Sequence, residues 1–355
     1  MKPVSARSLS VAEWRPVSQA RVRVTEVLRP AAPVIDAHNH LGRWLSPTGD
    51  WLVPDVGELL DIMDEAGVIH IVNLDGLWGH ELEENLDRYD RAHPDRFSTF
   101  CHLDLSAFER TNPTHALVIG LRRAHRSGAK GVKVWKDLGL RVRDGRGRLV
   151  MPDDDRLRPV WDLAGELGMP VMIHTADPIA FFEPLDSRNE RIDELTRVPE
   201  WSFADRERFP SFDLLMEALE RTIAGSPGTT FVAAHVGCCA EDLDRVDRLL
   251  RTHANMAIDI SARLDELGRQ PRRFRHLVLD HPDRILFGTD HPVTVEELRL
   301  HYRFVETDDE QLPYWVGSEV PTKGRWLISA AHLPADVLPG LYSGNARDTL
   351  RLGIA

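Results

Sequence analysis

Residues 34–40 read VIDAHNH and give the strongest indication of the fold, because a short apolar run ends in two histidines. In a β-strand, residues i and i+2 project to the same face, so the imidazoles of His38 and His40 are expected to point together. A His-x-His pair arises easily by chance in a chain with 16 histidines. Its place at the end of an apolar run therefore carries more weight than the pair itself.

Similar apolar runs recur along the chain, separated by segments with helical spacing. The eight runs are Val34–His40, Val68–Leu74, Phe97–Leu103, Gly131–Lys136, Pro170–His174, Thr230–His235, Met256–Ile260 and Arg284–Asp290. Most begin about 30 residues after the previous one, which is the repeat length of a strand–helix unit. Eight alternations predict an α/β fold of the (β/α)₈ TIM-barrel type. An open doubly wound sheet is the second interpretation, but no glycine-rich nucleotide loop follows the first run.

The spacing also indicates the domain organisation. We assign residues 1–30 to an N-terminal extension and residues 31–355 to one barrel domain, with a last helix over about Ala335–Leu352. The step from the fifth run to the sixth is about twice the usual length. Its excess lies at about residues 177–211, as a long loop that either covers the substrate or is a variable surface insertion.

Composition restricts the class of protein. The 355 residues are 42% hydrophobic, enough for a large core, and the net charge of −12 disfavours nucleic acid and anionic membranes as partners. The cysteines, Cys101, Cys238 and Cys239, are too few for a disulfide framework. The N-terminus lacks a secretory apolar segment and no run is long enough to span a membrane, so we expect a cytoplasmic protein with a small-molecule substrate. The sequence does not decide whether the protein forms a homo-oligomer.

Polar residues that suit metal chemistry end several of these runs. His174, His235 and Asp290 end the fifth, sixth and eighth runs. A closed barrel puts the eighth strand beside the first, so Asp290 is expected near His38 and His40. Any one of these residues could instead cap a loop, but together they predict a metal site.

Three neutral imidazoles and one carboxylate, from His38, His40, His174 and Asp290, suit a divalent ion, zinc first and Mn²⁺ or Fe²⁺ as alternatives. Such a site acidifies a bound water. His235 is then free to move protons as general base or acid, and a fifth ligand or an orienting group are its alternative roles.

The chain resembles the amidohydrolase superfamily, in the amidohydrolase-related branch that includes aminocarboxymuconate-semialdehyde decarboxylase and pyrone-dicarboxylate lactonase. The matching pieces are DAHNH (36–40), VMIHTAD (171–177), FVAAHVG (231–237), ILFGTDHP (285–292) and YSGNARDTLRL (342–352). The resemblance implies a (β/α)₈ barrel with one metal ion held by His38, His40, His174 and Asp290. It also implies that His235 is the catalytic histidine and that Asp290 shares in proton transfer.

The fourth run, within GVKVWKDLG (131–139), leaves the number of metal ions open. Some members of the superfamily carry a carboxylated lysine on strand four that bridges two metals, and Lys133 or Lys136 could match it. The two lysines are three residues apart, so an ideal strand sends them to opposite faces. We favour Lys133 as a substrate-binding or buried paired lysine beside a single ion.

Further candidates surround the pocket. Arg43 and Trp44 follow the histidine pair and could pair with or stack on a substrate. His102 and Asp75 could line the pocket, although a satisfied structural role is favoured for both. His291 should point away from the metal, because it follows Asp290 directly.

These residues predict a hydrolase in which metal-activated water cleaves an amide, lactone or other ester bond. A non-oxidative decarboxylase of an unsaturated or aromatic acid is the nearest rival, and the same ligands would serve it. Its acid could be held by Lys133, Arg43 or arginines between Pro178 and Pro210. A non-catalytic metal-binding barrel is the alternative of another class, and the complete ligand set with a spare histidine argues against it.

Overall fold

The alternating pattern of the sequence folds as eight parallel strands whose spatial order is also their order in the chain. The computed structural model describes residues 18–317 and 321–354, so residues 1–17 of the predicted extension lie outside the described residues. The strands are β1 (Val34–Asn39), β2 (Val68–Asn73), β3 (Phe97–His102), β4 (Gly131–Val134), β5 (Val171–Ile173), β6 (Phe231–Ala233), β7 (Met256–Asp259) and β8 (Ile285–Leu286). All eight predicted strands are thus present.

Closure of the barrel depends on the contact between its last and first strands. Each strand pairs in parallel with the next, from β1 to β8. Between β8 and β1, Ala37 N donates to Phe287 O at 3.0 Å and Asp290 N donates to His38 O at 2.8 Å. The second bond attaches Asp290 directly to the strand that carries His38. The predicted (β/α)₈ TIM barrel is confirmed.

Helices cover the outside of the barrel, and local sequence explains their ends. Asp55 caps the first helix by accepting from Gly57 N and Glu58 N, and Gly67 ends it with a φ of 80° that favours glycine. The helices are α1 (Val56–Ala66), α2 (His80–Asn85), α3 (Pro113–Ser127), α5 (Arg158–Glu166), α6 (Ile192–Arg197), α7 (Phe212–Gly225), α9 (Leu243–Thr252), α10 (Leu264–Leu267), α11 (Pro271–Asp280), α12 (Val295–Glu306) and α13 (Asn345–Leu350), with single irregular turns at α4 (Asp137–Leu140) and α8 (Ala234–Gly237). Within the described part of the chain, none of them combines the length and apolarity needed to cross a membrane.

The core has two layers because side chains alternate along each strand. Met172, Val232, Ala257 and Leu286 belong to a cluster inside the barrel, with residues of α13 at one end. The intervening residues, such as Val171 and Phe231, belong to the larger cluster between strands and helices. The alternation therefore decides which strand residues can reach the barrel axis.

The last predicted helix, about Ala335–Leu352, was too long. The structure has a wide π-type turn at Gly340–Gly344 followed by α13 at Asn345–Leu350. Pro339 has no N–H to donate to Ala335 O, so a regular α-helix cannot begin at Ala335.

The long loop after β5 is folded onto the barrel. It contains short 3₁₀ turns at Ile179–Phe182 and Pro199–Trp201 as well as α6. Arg191 anchors it, because this buried guanidinium bonds to Asp265 and Glu266 in the loop after β7. The loop thus has a defined path over the carboxyl ends of the strands.

Candidate metal centre

The predicted ligands gather around Asp290, which follows β8. Its Oδ1 lies 3.4 Å from His40 Nε2 and 4.0 Å from His38 Nε2, and its Oδ2 lies 3.8 Å from His235 Nε2. Among the described residues, His38, His235 and Asp290 each offer an atom within 4.8 Å of the others, close enough to share one ion. The closed barrel therefore brings together residues that are up to 252 positions apart in the chain, as in the case of His38 and Asp290.

His174 is placed differently from the other predicted ligands. Its ring centroid lies 4.4 Å from that of His235, at the same rim of the barrel. However, its Nε2 lies 3.4 Å from Asp177 Oδ1, and neither ring nitrogen forms a hydrogen bond with any described residue. The ligand set of His38, His40, His174 and Asp290 stays a prediction, in which His174 must turn from Asp177 toward the others.

Carboxylates and a carbonyl orient three of the imidazoles. His38 Nδ1 lies 2.9 Å from Asp259 Oδ2 and His40 Nδ1 lies 2.5 Å from Asp75 Oδ1. His235 Nδ1 lies 3.0 Å from Ser261 O. Because these oxygens only accept, each Nδ1 carries the proton and each Nε2 keeps the lone pair that a metal requires.

The two carboxylates were not identified as site residues from the sequence. Asp75, for which a structural role was favoured, instead holds a candidate ligand. Asp259 at the end of β7 was missed, although its place at a strand end was a readable signal. Its Oδ1 also accepts from the backbone N–H of His235 at 3.0 Å, so one carboxylate positions two histidines.

Unsatisfied nitrogens test whether these residues fit a metal ion. The Nε2 atoms of His40, His174 and His235 are buried without a hydrogen-bond partner among the described residues. Burial lowers the pKa of His174 to about 3 and holds the pKa of His235 well below its usual value. Neutral imidazoles with free lone pairs are the form that binds a divalent ion, so the donor set fits one.

The two lysines near β4 occupy separate places. Lys133 is 1% exposed, and its Nζ lies 2.9 Å from His38 Nε2, at the centre of the site. Burial lowers the pKa of Lys133 to about 8. Lys136 lies beyond the strand and forms an ion pair with Asp177 at 2.5 Å. Of the two, only Lys133 reaches the candidate ligands, and its substrate-binding role stays a prediction.

Aromatic rings form one wall of the site. Trp44 lies 5.8 Å from the His40 ring and 4.8 Å from Trp135, measured between centroids. Trp135 in turn lies 5.0 Å from His174. Trp135 was not singled out from the sequence, because its role depends on the path of the chain after β4. We refer to Trp44 and Trp135 as the tryptophan wall.

Arg43 has partners away from the predicted ligands. Its guanidinium forms a two-pronged bond to Glu81 at 3.0 and 2.8 Å, pairs with Glu84 and stacks on Trp51. These acidic partners occupy the donors that a substrate would need, so its placement does not support the predicted substrate contact.

Two other histidines behave as expected from the sequence. His102 is buried and its Nε2 donates to Leu74 O at 2.6 Å, a satisfied structural bond. His291 turns away from the ligands toward Glu297, at 3.7 Å.

Strained backbone holds the proton-transfer candidates. His235, Val236 and Asp290 have φ values of 57°, 60° and 53°, in the left-handed region that non-glycine residues rarely adopt. Such conformations cost about 1–3 kcal/mol each and persist only where surrounding bonds enforce them. The bond from His235 N to Asp259 is one such restraint.

A cavity of about 320 Å³ opens beside the cluster. His40 and Asp290 line it together with apolar residues such as Leu45, Leu59 and Val293. Its size and mixed lining suit a small molecule.

Comparison with known protein families agrees with the barrel fold. A family model described as "Amidohydrolase" matches residues 35–352, nearly the whole described chain. No curated protein matches the sequence.

Several solved structures are similar to the barrel. One is 2,6-dihydroxybenzoate decarboxylase from Rhizobium, at 17% identity with a TM-score of 0.55, covering 91% of this chain and 99% of that one. A zinc-bound amidohydrolase from Burkholderia multivorans has 13% identity and a TM-score of 0.52, covering 90% and 99%. A putative amidohydrolase from Staphylococcus aureus has 16% identity and a TM-score of 0.54, covering 91% and 99%. At these identities the likeness concerns the fold.

Proposed function

Because the chain belongs to the amidohydrolase family, whose model spans residues 35–352, we propose that it is a metal-dependent hydrolase that cleaves an amide, lactone or other ester bond of a small molecule. The observation that carries this proposal is the cluster of His38, His40, His235 and Asp290, in which the Nε2 atoms of His40 and His235 are buried and unbonded among the described residues. The zinc in the related Burkholderia structure supports zinc as the ion.

The ligands of that ion would be His38, His40, His174 and Asp290. A divalent ion bound there would polarise a carbonyl oxygen and lower the pKa of water. Asp75 and Asp259 keep His40 and His38 in the tautomer whose Nε2 is free to bind.

His235 supplies the base in this proposal. Its Nδ1–H is held by Ser261 O, so its Nε2 faces the cluster as a fixed proton acceptor. Asp290 Oδ2 lies 3.8 Å from that nitrogen, so a proton taken by one residue is close to the other for return to the leaving group. The lowered pKa of His235 keeps the imidazole neutral, so the lone pair of its Nε2 is available.

Decarboxylation of an unsaturated or aromatic acid is the second candidate. The tryptophan wall favours a planar ligand, and buried Lys133 adds a positive charge beside His38. The likeness to a decarboxylase from Rhizobium supports it at the level of the fold. A non-catalytic metal-binding barrel is less well supported, because His235 has no structural need for an unbonded Nε2.

Metal analysis of the purified protein, followed by a screen of lactones, amides and aromatic or dienoic acids with CO₂ detection, tests the proposal. His38→Ala and Asp290→Ala should each lose metal and turnover. His235→Asn should keep the metal while turnover falls about 10²- to 10⁴-fold. His80→Asn, on the exposed start of α2, is the matched control and should leave both unchanged. Full turnover by His235→Asn, or by metal-free wild type, would refute the mechanism.

A further inference from the structure

The loop after β7 places an arginine next to the proposed base. Arg263 is two residues beyond Ser261, whose carbonyl accepts from His235 Nδ1 at 3.0 Å. The residue between them, Ala262, donates its N–H to Thr289 O, directly before Asp290, at 3.0 Å. Arg263 therefore lies at the rim between the His235 and Asp290 segments. The pKa of His235 is lowered most by burial, then by its interaction with His174, and then by the charge of Arg263.

The guanidinium of Arg263 uses little of its hydrogen-bonding capacity within the protein. The residue is only 7% exposed, yet its one side-chain hydrogen bond to a described residue runs from Nη1 to Ala262 O at 2.9 Å. A guanidinium has five N–H donors in a planar fork. Most of them therefore remain available to a ligand.

Nearby carboxylates do not account for these donors. Glu194, Glu241 and Asp265 are close enough for the charge of Arg263 to influence their pKa values. However, Arg191 binds Glu194 and Asp265, and Glu241 accepts from the backbone of the long loop at 2.8 Å. Within residues 18–317 and 321–354, no carboxylate forms an ion pair with Arg263.

Most other candidate cations have acidic partners within the protein. Arg43 is bound by Glu81 and Glu84, and Lys136 is bound by Asp177. Lys133 contacts His38 Nε2. Arg191 is buried and paired with Asp265 and Glu266. It lies in the long loop whose arginines the sequence suggested as substrate contacts. Arg263 and Lys133 are the cations near His235 that retain free donors within the described chain, and of the two Arg263 has the planar fork that matches a carboxylate.

We propose that Arg263 binds a carboxylate group of the substrate, and that this substrate is a planar aromatic or conjugated carboxylic acid. The fork geometry of a guanidinium matches a carboxylate in two parallel bonds. Trp135 lies 5.0 Å from His174, and His174 lies 4.4 Å from His235, so the tryptophan wall and Arg263 border the same row of imidazoles. A planar acid bound between the tryptophan wall and Arg263 would lie next to His174 and His235. This assignment rests on the proposed function for the identity of the site.

Binding of benzoate and of its uncharged analogue benzamide to the metal-loaded protein, measured by titration calorimetry, tests the assignment. Wild type should bind benzoate at least about 10-fold more tightly than benzamide. Arg263→Gln should weaken benzoate binding about 10- to 100-fold and leave benzamide within about 2-fold, while Arg263→Lys should lie between. The control is Arg269→Gln, which removes an exposed arginine paired with Glu190 and should bind both probes as wild type does.

Equal binding of the two probes by wild type would overturn the assignment, and this comparison holds even if Arg263→Gln fails to fold. Benzoate binding that is undiminished in Arg263→Gln, or equally diminished in Arg269→Gln, would also overturn it. Once a substrate is found, Arg263→Gln should raise KM for acids more than it lowers kcat. Selective benzoate binding without metal-dependent turnover would contradict the proposed function alone, whereas turnover without acid preference would contradict the role of Arg263 alone.

Discussion

The two sides of the candidate metal centre differ in how their histidines are held. On the side of β1 and β6, the Nδ1 atoms of His38, His40 and His235 each bond to an oxygen of the protein. On the side of β5, neither nitrogen of His174 bonds to a described residue, and its Nε2 lies beside Asp177. One side is therefore oriented by bonds within the protein, while no hydrogen bond from a described residue fixes the ring of His174 on the other side.

The difference follows from the partners that each strand end offers. Strands β2 and β7 end next to Asp75 and Asp259, which are buried and accept bonds from neighbouring strands. Beside β5, the carboxylate of Asp177 is taken by Lys136 at 2.5 Å. Orientation of a ligand by a second residue strengthens metal binding, so the two sides should respond differently to substitution.

Removal of the shared carboxylate should have the largest effect on metal affinity. Asp290→Asn takes away the only charged ligand of the predicted set and leaves a neutral amide beside His38, His40 and His235. Metal affinity, measured by competition with a chelator, should fall more than about 100-fold, beyond the effect of losing an orienting partner. Asp280→Asn on the surface of α11 is the control, and a similar loss in both variants would contradict a specific role.

A substitution on the pre-oriented side should have the next largest effect. Asp259→Asn replaces one of the two carboxylate oxygens by N–H₂, so either His38 Nδ1 or the backbone N–H of His235 loses its acceptor. Metal affinity should fall about 10- to 100-fold, since orienting partners of ligand histidines contribute on that scale. Affinity equal to wild type would show that the tautomer of His38 does not depend on Asp259.

The equivalent change on the β5 side should matter less for the metal. Asp177→Asn removes the charge near His174 but no bond that orients its ring, so metal affinity should change less than about 3-fold. Stability should fall by about 1–3 kcal/mol, because the buried ammonium of Lys136 loses its charged partner. Chelator competition and chemical denaturation measure the two effects. A metal loss as large as that of Asp259→Asn would contradict the difference between the sides.

A histidine outside the centre isolates the effect of burial on the pH dependence of stability, and its replacement should affect metal affinity the least. Burial lowers the pKa of His70 from 6.5 to about 4, so the unfolded chain binds this proton more readily than the folded one. The stability from neutral His70 is therefore present above pH 6.5 and is lost as pH falls toward 4. The free energy of unfolding should decrease by up to about 1.4 kcal/mol per pH unit for this group. His70→Gln should show a shallower slope in urea denaturation of metal-free protein, and an unchanged slope would contradict the assignment.

Much of the fold and the positions of the ligand candidates could be read from the sequence. Hydrophobic periodicity is local, so runs such as Val68–Leu74 identified strands within one or two residues of their observed bounds, although the eighth run extended four residues beyond the end of β8. Barrel closure then placed Asp290 near the histidine pair without any knowledge of side-chain contacts. The last helix was misjudged because proline positions were given too little weight against apolar spacing.

The sequence by itself determined the barrel and the order of its strands, because both follow from hydrophobic alternation along the chain. The same strand ends determined that five polar side chains lie at one rim of the barrel, namely His38, His40, His174, His235 and Asp290. Only the tertiary structure decided that Asp259 orients His38 from 221 positions away, that Glu81 and Glu84 occupy Arg43, and that Arg263 keeps its donors free. The physical reason is that the partner of a hydrogen bond or ion pair depends on where distant loops meet. The hydrophobic periodicity of a single segment gives no information about its contacts with distant loops.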